Sequence, residues 1–123
     1  MKIEVSVGEI VDKLTILTLK KKYITNETQL ENIQKEYLYL LDIVFMQLNV
    51  SRNDYNLLLA INEELWHIED DIRNKERQGE FDEVFIELAR AVYITNDERA
   101  AAKRHINEYY GSEFVEEKSY AKY

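Results

Sequence analysis

The stretch from Ser51 to Gly79, S-R-N-D-Y-N-L-L-L-A-I-N-E-E-L-W-H-I-E-D-D-I-R-N-K-E-R-Q-G, decides the fold. Its Leu58, Ile61, Leu65, Ile68 and Ile72 recur at steps of three and four, the spacing that puts side chains on one face of an α-helix. Ser51 with Asp54 supplies a cap for the unpaired amides at its start, and Gly79 supplies a left-handed stop at its end. The spacing predicts a helix over nearly the whole stretch, the longest of the chain.

The same reading extends to both sides. Upstream, Thr25-Asn26-Glu27 offers a cap for a second helix carrying Leu30, Ile33, Tyr37, Leu40, Leu41, Val44 and Leu48 on one face. Before it, Ser6 and Glu9 form a capping box for a helix over Val7 to Tyr23, preceded by a short extended segment, Lys2 to Val5. Downstream, Phe81, Val84, Phe85, Leu88, Ala89 and Val92 predict a fourth helix, and the Thr95/Glu98 pair a capping box for a fifth that ends at Gly111. The tail, 112–123, mixes Phe114, Val115, Tyr120 and Tyr123 with charges and is expected to dock as an arm. No repeat or Gly/Ser linker divides the chain, so 1–123 reads as a single helical domain. The fold class is all-α: a compact antiparallel bundle of about five helices with an extended N-terminal segment and a C-terminal arm.

Composition narrows the function. Three glycines and no proline leave too few turn-makers for a many-stranded β fold. Twenty-four acidic against sixteen basic residues give a net charge of -8, which repels a phosphate backbone and argues against general nucleic-acid binding. The absence of cysteine excludes disulfides, thiolate zinc sites and thiol nucleophiles, and suits a reducing interior. The first residues do not make a signal peptide, and no apolar run approaches the roughly 20 residues of a membrane span, so a cytoplasmic protein without membrane contact is expected.

Polar residues sit where a core face should run. Asn62, Trp66, Glu69, Arg73 and Glu76 follow one another at helical steps directly beside the apolar stripe of the third helix. A solvated face rarely carries a tryptophan and a core face rarely carries unpaired charge, so the mixture predicts a cleft or an interface. On the first helix, Asp12 shares a stripe with Ile16, Leu19 and Tyr23 and calls for a nearby cation such as Arg73, Arg90 or Lys13. Arg99, Lys103, Ile106 and Tyr110 share a face further on, with Arg90, Tyr93 and Asp97 on a common side. Arginine forks and ammonium groups near Asn96 and Asp97 would hold a phosphate or carboxylate, with Tyr93, Trp66 or Tyr110 stacking on a ring. The competing reading pairs these cations with Glu69, Asp70 and Glu76. Glu63, His67 and Asp71 recur at metal-ligand spacing but face away from the predicted core, and His105 stands alone.

Catalytic signatures are missing: there is no P-loop, no Rossmann glycine pattern, no G-x-S-x-G and no H-E-x-x-H. The acidic third helix is similar in character to all-α nucleotide pyrophosphatases, which hold magnesium with E-x-x-E followed by E-x-x-D. Here Glu9 to Asp12 gives the second element, while Glu80 to Glu83 and Glu113 to Glu116 come after it, in the wrong order.

Three stretches taken together, S-V-G-E-I-V-D-K at Ser6 to Lys13, L-W-H-I-E-D-D-I-R at Leu65 to Arg73 and F-I-E-L-A-R-A-V-Y-I-T-N-D-E-R-A at Phe85 to Ala100, followed by K-R-H-I-N at Lys103 to Asn107 and E-E-K-S-Y at Glu116 to Tyr120, resemble a small all-helical domain-of-unknown-function family of bacteria and phages. The resemblance spans nearly the whole chain and implies a domain type rather than a reaction. The polar motif positions it carries over are Asp12, Lys13, Trp66, Glu69, Asp70, Arg73, Arg90, Asn96, Asp97, Arg99 and Lys103.

Three functions compete. The leading expectation is a non-catalytic, homo-oligomeric binding domain for a small phosphate-bearing ligand of nucleotide or sugar-phosphate type, needing no cofactor. Its site would be built from Asp12, Lys13, Asn62, Trp66, Glu69, Arg73, Arg90, Tyr93, Asn96, Asp97, Arg99 and Lys103, and a phage-encoded version would act by sequestering a nucleotide signal. The first alternative is a magnesium-dependent phosphohydrolase with Glu69, Asp70 and Asp12 around the metal. The second is a structural or interaction protein whose ion pairs fix helix register.

Overall fold

Each helix begins where a short oxygen-bearing side chain takes one of the amides that a first turn leaves unpaired. Ser6 Oγ accepts from the Glu9 amide at 3.2 Å, Asn26 Oδ1 from Gln29 at 2.9 Å, Ser51 Oγ from Asp54 at 3.1 Å and Asp82 Oδ1 from Phe85 at 3.0 Å. The computed structural model describes residues 1–123 and accordingly holds four α-helices: α1 (Val7–Tyr23), α2 (Glu27–Asp42), α3 (Arg52–Gln78) and α4 (Glu83–Tyr109). There is no strand, and Met1 to Val5 is exposed without regular structure. No helix is long and apolar enough to cross a membrane.

The expected fourth and fifth helices are one. Thr95 caps nothing: it lies in the middle of α4, only 3% exposed, and contributes to packing. An S/T-x-x-E pair is three residues apart, which is also the spacing of neighbours along an uninterrupted helix, and no glycine or proline lies between Glu83 and Tyr109 to break the ladder. At 27 residues α4 therefore equals α3, which is not the longest element alone.

The second helix changes form before it ends. Over Ile43–Gln47 it widens into a π-helical turn, with the Leu48 amide reaching back to the Ile43 carbonyl at 2.9 Å. Asn49 then takes a left-handed φ of 53°, and the reversal buries both Val44 and Val50. At the far end of α3, Gly79 has φ 68° and its amide bonds the Glu76 carbonyl. A residue without Cβ adopts that geometry without strain, and four residues later α4 starts back.

Cross-helix pairs give the directions. Asp54 meets His105 and Tyr110 while Lys75 meets Asp82, so α3 and α4 run antiparallel. Gly8, Glu9 and Asp12 face Asn107, Lys103 and Arg99 respectively, so α1 is antiparallel to α4 as well. The main core lies at one end, where Val11, Leu14 and Leu17 of α1 meet Leu40, Val44, Tyr55, Leu58 and Ile106. Between Ile68 and Thr95 no residue is buried, and the tip of the α3–α4 hairpin exposes Phe81, Val84 and Ile86.

Gly8 sets how closely α1 approaches α4. Its amide donates to Asn107 Oδ1 at 2.6 Å, and a Cβ built on it would stand 2.6 Å from the Lys103 carbonyl oxygen. The backbones touch only because that position has no side chain.

Candidate functional site

Asp12 is the fixed point of the site. It is 2% exposed, and its carboxylate receives a two-pronged contact from Arg99: Nε to Oδ1 at 3.0 Å and Nη2 to Oδ2 at 2.6 Å. Asn62 Nδ2 donates to Asp12 Oδ1 at 2.8 Å and to Thr15 Oγ1 at 2.7 Å, and Thr15 Oγ1 donates to the Asp12 carbonyl at 2.6 Å. A buried carboxylate needs a forked, hydrogen-bonded cation, and α1, α3 and α4 each contribute to meeting that need. The cation differs from the three considered on sequence grounds. Arg73 pairs with Glu69 on its own helix, Lys13 reaches Glu36 of α2 at 2.9 Å, and Arg90 is exposed. Which α4 residue meets Asp12 depends on the α1–α4 register, and periodicity within one helix carries no information about that.

Burial, the strongest single influence, pushes the Asp12 carboxyl upward, but the Arg99 fork, the Asn62 amide and the charges of Arg99 and Lys103 outweigh it and leave it below its ordinary 3.8. A carboxyl depressed by folding contributes stability that is whole above its unfolded value and is lost as the pH falls through the folded one. The excess stability of the wild type over Asp12→Asn is therefore expected to be constant from neutrality down to about pH 5 and to shrink once the pH drops below about 4. Urea midpoints of the two proteins against pH measure it, and a difference that stays flat into the acid range would refute the assignment.

Beside this cluster lies an open cleft of about 540 Å³ between α1, α3 and α4. Ile16, Leu19 and Leu65 form its apolar wall, and Trp66, Asn62, Asn96 and Arg99 add an aromatic plane and polar groups. The indole lies against Tyr23, ring centroids 5.5 Å apart and 24° from parallel, which fixes its orientation. Asp12 uses Nε and Nη2 of Arg99, leaving Nη1 unclaimed. Arg73, Glu69 and Asp70 stand at the same cleft.

The other candidates lie elsewhere. Tyr93 packs against Tyr123 at 5.0 Å, and the nearby Asp97 carboxylate raises the Tyr123 hydroxyl above its ordinary pKa. Tyr110 donates to Asp54 Oδ2 and accepts from the Ser51 amide, closing the α3–α4 pair at the core end. Lys103 is buried and donates to Glu9 Oε2 at 3.0 Å and Glu116 Oε2 at 2.8 Å. A smaller cavity of about 200 Å³ opens there and shares Asn96 and Arg99 with the cleft.

The metal candidates do not converge. Glu63 accepts from Lys22 Nζ and from the Tyr23 hydroxyl, both at 2.7 Å, His67 lies 3.1 Å from that hydroxyl, and Asp71 stays apart. Asp12 is committed to Arg99 and Asn62. No three carboxylate or imidazole groups are placed to hold one ion.

Sequence reasoning missed Asn107 and Gly8. Asn107 is 1% exposed, takes the Gly8 amide and leaves its own Nδ2 without a partner. The one available signal was a glycine in the first turn of a helix in a chain with only three.

The family model of the family of unknown function DUF6165 matches residues 1–123, and the chain belongs to that family. No curated protein and no solved structure matches the chain.

Proposed function

We propose that this member of DUF6165 is a non-catalytic binding protein for a small nucleotide-type ligand, with the base against Trp66 and the phosphate toward Arg99. The observation that carries this reading is the cleft itself. It sets an oriented indole and apolar side chains beside Asn62, Asn96 and the unclaimed edge of Arg99, the combination of a flat apolar wall and a few fixed polar groups that small-molecule sites use. Glu69 and Asp70 make a bare anion a poor fit to the whole cleft, whereas the hydroxyl and amino groups of a sugar and base would donate to them. The acids of the site are held by cations or by solvent rather than gathered around a shared point, which favours binding over metal-assisted hydrolysis.

Trp66 is the chain's single tryptophan, so its emission reports on the cleft alone. Titration with nucleoside mono- and diphosphates is expected to give a saturable change. Asn96→Ala, which removes one hydrogen-bonding group at a partly exposed position, should weaken the response about tenfold. An emission unmoved by nucleotides and sugar phosphates up to millimolar concentration would overturn the reading. Release of inorganic phosphate in the presence of magnesium would replace it with hydrolysis.

A further inference from the structure

Lys103 is an ammonium group on α4 with a side chain only 9% exposed, and a cation so placed must be compensated. One of its two counterions, Glu9, belongs to α1. The other, Glu116, comes from the segment after Gly111, which has no regular structure. Glu116 also stands 3.9 Å from Lys118 Nζ with its second oxygen, and its side chain is 44% exposed. Beside these groups is the cavity of about 200 Å³, with Arg99 and Asn96 in its wall.

We propose that Lys103 and Arg99 form an anion site whose resident occupant is the Glu116 carboxylate, and that a ligand phosphate takes its place and releases the C-terminal segment, Lys118 with it. For the identity of the ligand this rests on the nucleotide reading above. A phosphate carries more charge than a carboxylate and three terminal acceptor oxygens, so it serves Lys103 and the free Nη1 of Arg99 together, where Glu116 bonds Lys103 and leaves that Nη1 unmet. Glu9 stays in place throughout and keeps Lys103 partly neutralised.

The segment is held in a way that permits exchange. Beyond Ser112, which accepts from the Val7 amide and stays with the helix end, its other contacts join exposed groups: Glu117 with Arg104 at 3.0 and 3.2 Å, a kind of pair that contributes little, and the Tyr123 ring on Tyr93. Burial works against the charged form of Lys103, yet the carboxylates of Glu116 and Glu9 hold its pKa above the ordinary value, so the site keeps its cation at neutral pH. Because the small cavity and the Trp66 cleft share Arg99 and Asn96, a base in one and a phosphate in the other are compatible with a single ligand.

The full-length chain tests this through trypsin cleavage after Lys118, followed by mass spectrometry, together with Trp66 titration. Adenosine monophosphate and pyrophosphate, compared with sodium chloride at matched ionic strength, are expected to speed cleavage severalfold. Glu116→Gln should be cleaved fast without any anion and should bind adenosine monophosphate about fivefold more tightly, because the site is no longer competed for. Equal acceleration by chloride, or a Glu116→Gln protein unchanged in both cleavage and affinity, would overturn the exchange. A Trp66 response without release of the segment would leave the nucleotide reading standing and refute this one. Release by pyrophosphate with Trp66 silent to every nucleotide would support the anion site and refute the cleft as a nucleotide site.

Discussion

Arg99→Ala is expected to lower the unfolding free energy by about 3–5 kcal/mol, the cost of stripping the cation from a buried, hydrogen-bonded ion pair. Asp12 has 3% of its side chain exposed, and with the guanidinium gone only the Asn62 amide would hydrogen-bond its carboxylate. For a domain of ordinary stability, about 5–15 kcal/mol, that is about a fifth of the total or more. The loss should appear in urea denaturation as a lower midpoint at unchanged slope. Two controls separate the pair from its surroundings. Arg73→Ala removes an exposed pair with Glu69 one turn away and should cost no more than about 0.5 kcal/mol. The double variant Asp12→Asn with Arg99→Met leaves no unpaired charge and should recover much of the deficit, a coupling that a double-mutant cycle measures directly. An Arg99→Ala protein as stable as the wild type would show that Asp12 is held by something other than this fork.

Gly8→Ala should be nearly as damaging although it adds one methyl group. The new Cβ would lie 2.6 Å from a backbone oxygen of α4 and 2.8 Å from Asn107 Oδ1. The Asn107 side chain has some freedom to turn, but the Lys103 carbonyl belongs to a hydrogen-bonded helix and moves only with it. Relief comes by driving the two helices apart, which stretches the Gly8–Asn107 bond and shifts Glu9 and Asp12 away from Lys103 and Arg99. Overpacking together with one compromised buried hydrogen bond gives an expected loss of about 3 kcal/mol. Thermal unfolding would register it, and Gly79→Ala offers a useful contrast, since a Cβ there meets nothing within 4 Å and the penalty is confined to the left-handed backbone. If Gly8→Ala unfolds at the wild-type temperature, the close approach of α1 and α4 is wrong.

The helices that end in clear chemistry were legible. Ser6 and Ser51 cap where their spacing said they would, and Gly79 stops α3 in the left-handed conformation expected of it. The break at Thr95 was misread because capping spacing and intrahelical spacing coincide, and only the absence of a glycine or proline nearby argued against it. Trp66, Asn62 and Arg73 were visible as neighbours because they share one helix face. That Arg99 joins them, while Lys13 and Tyr93 point to other contacts, depends on how helices far apart in sequence slide past one another. Arg99 and Asp12 are 87 positions apart, and nothing local encodes their meeting.

The bundle is unevenly braced, and the cleft sits on the join. Asn62 and Arg99 are anchored in the Asp12 cluster, next to the buried side chains of α1. Glu69, Asp70 and Arg73 belong to the outer hairpin, where no residue between Ile68 and Thr95 is buried and brief opening of the helix ends requires no disruption of the main core. One wall of the cleft is thus stiff and the other compliant. A molecule bridging Asn62 to Arg73 would splint the compliant wall to the stiff one, so that occupancy would be felt as rigidity at the hairpin tip, more than a dozen residues from the nearest contact in sequence on the α4 side.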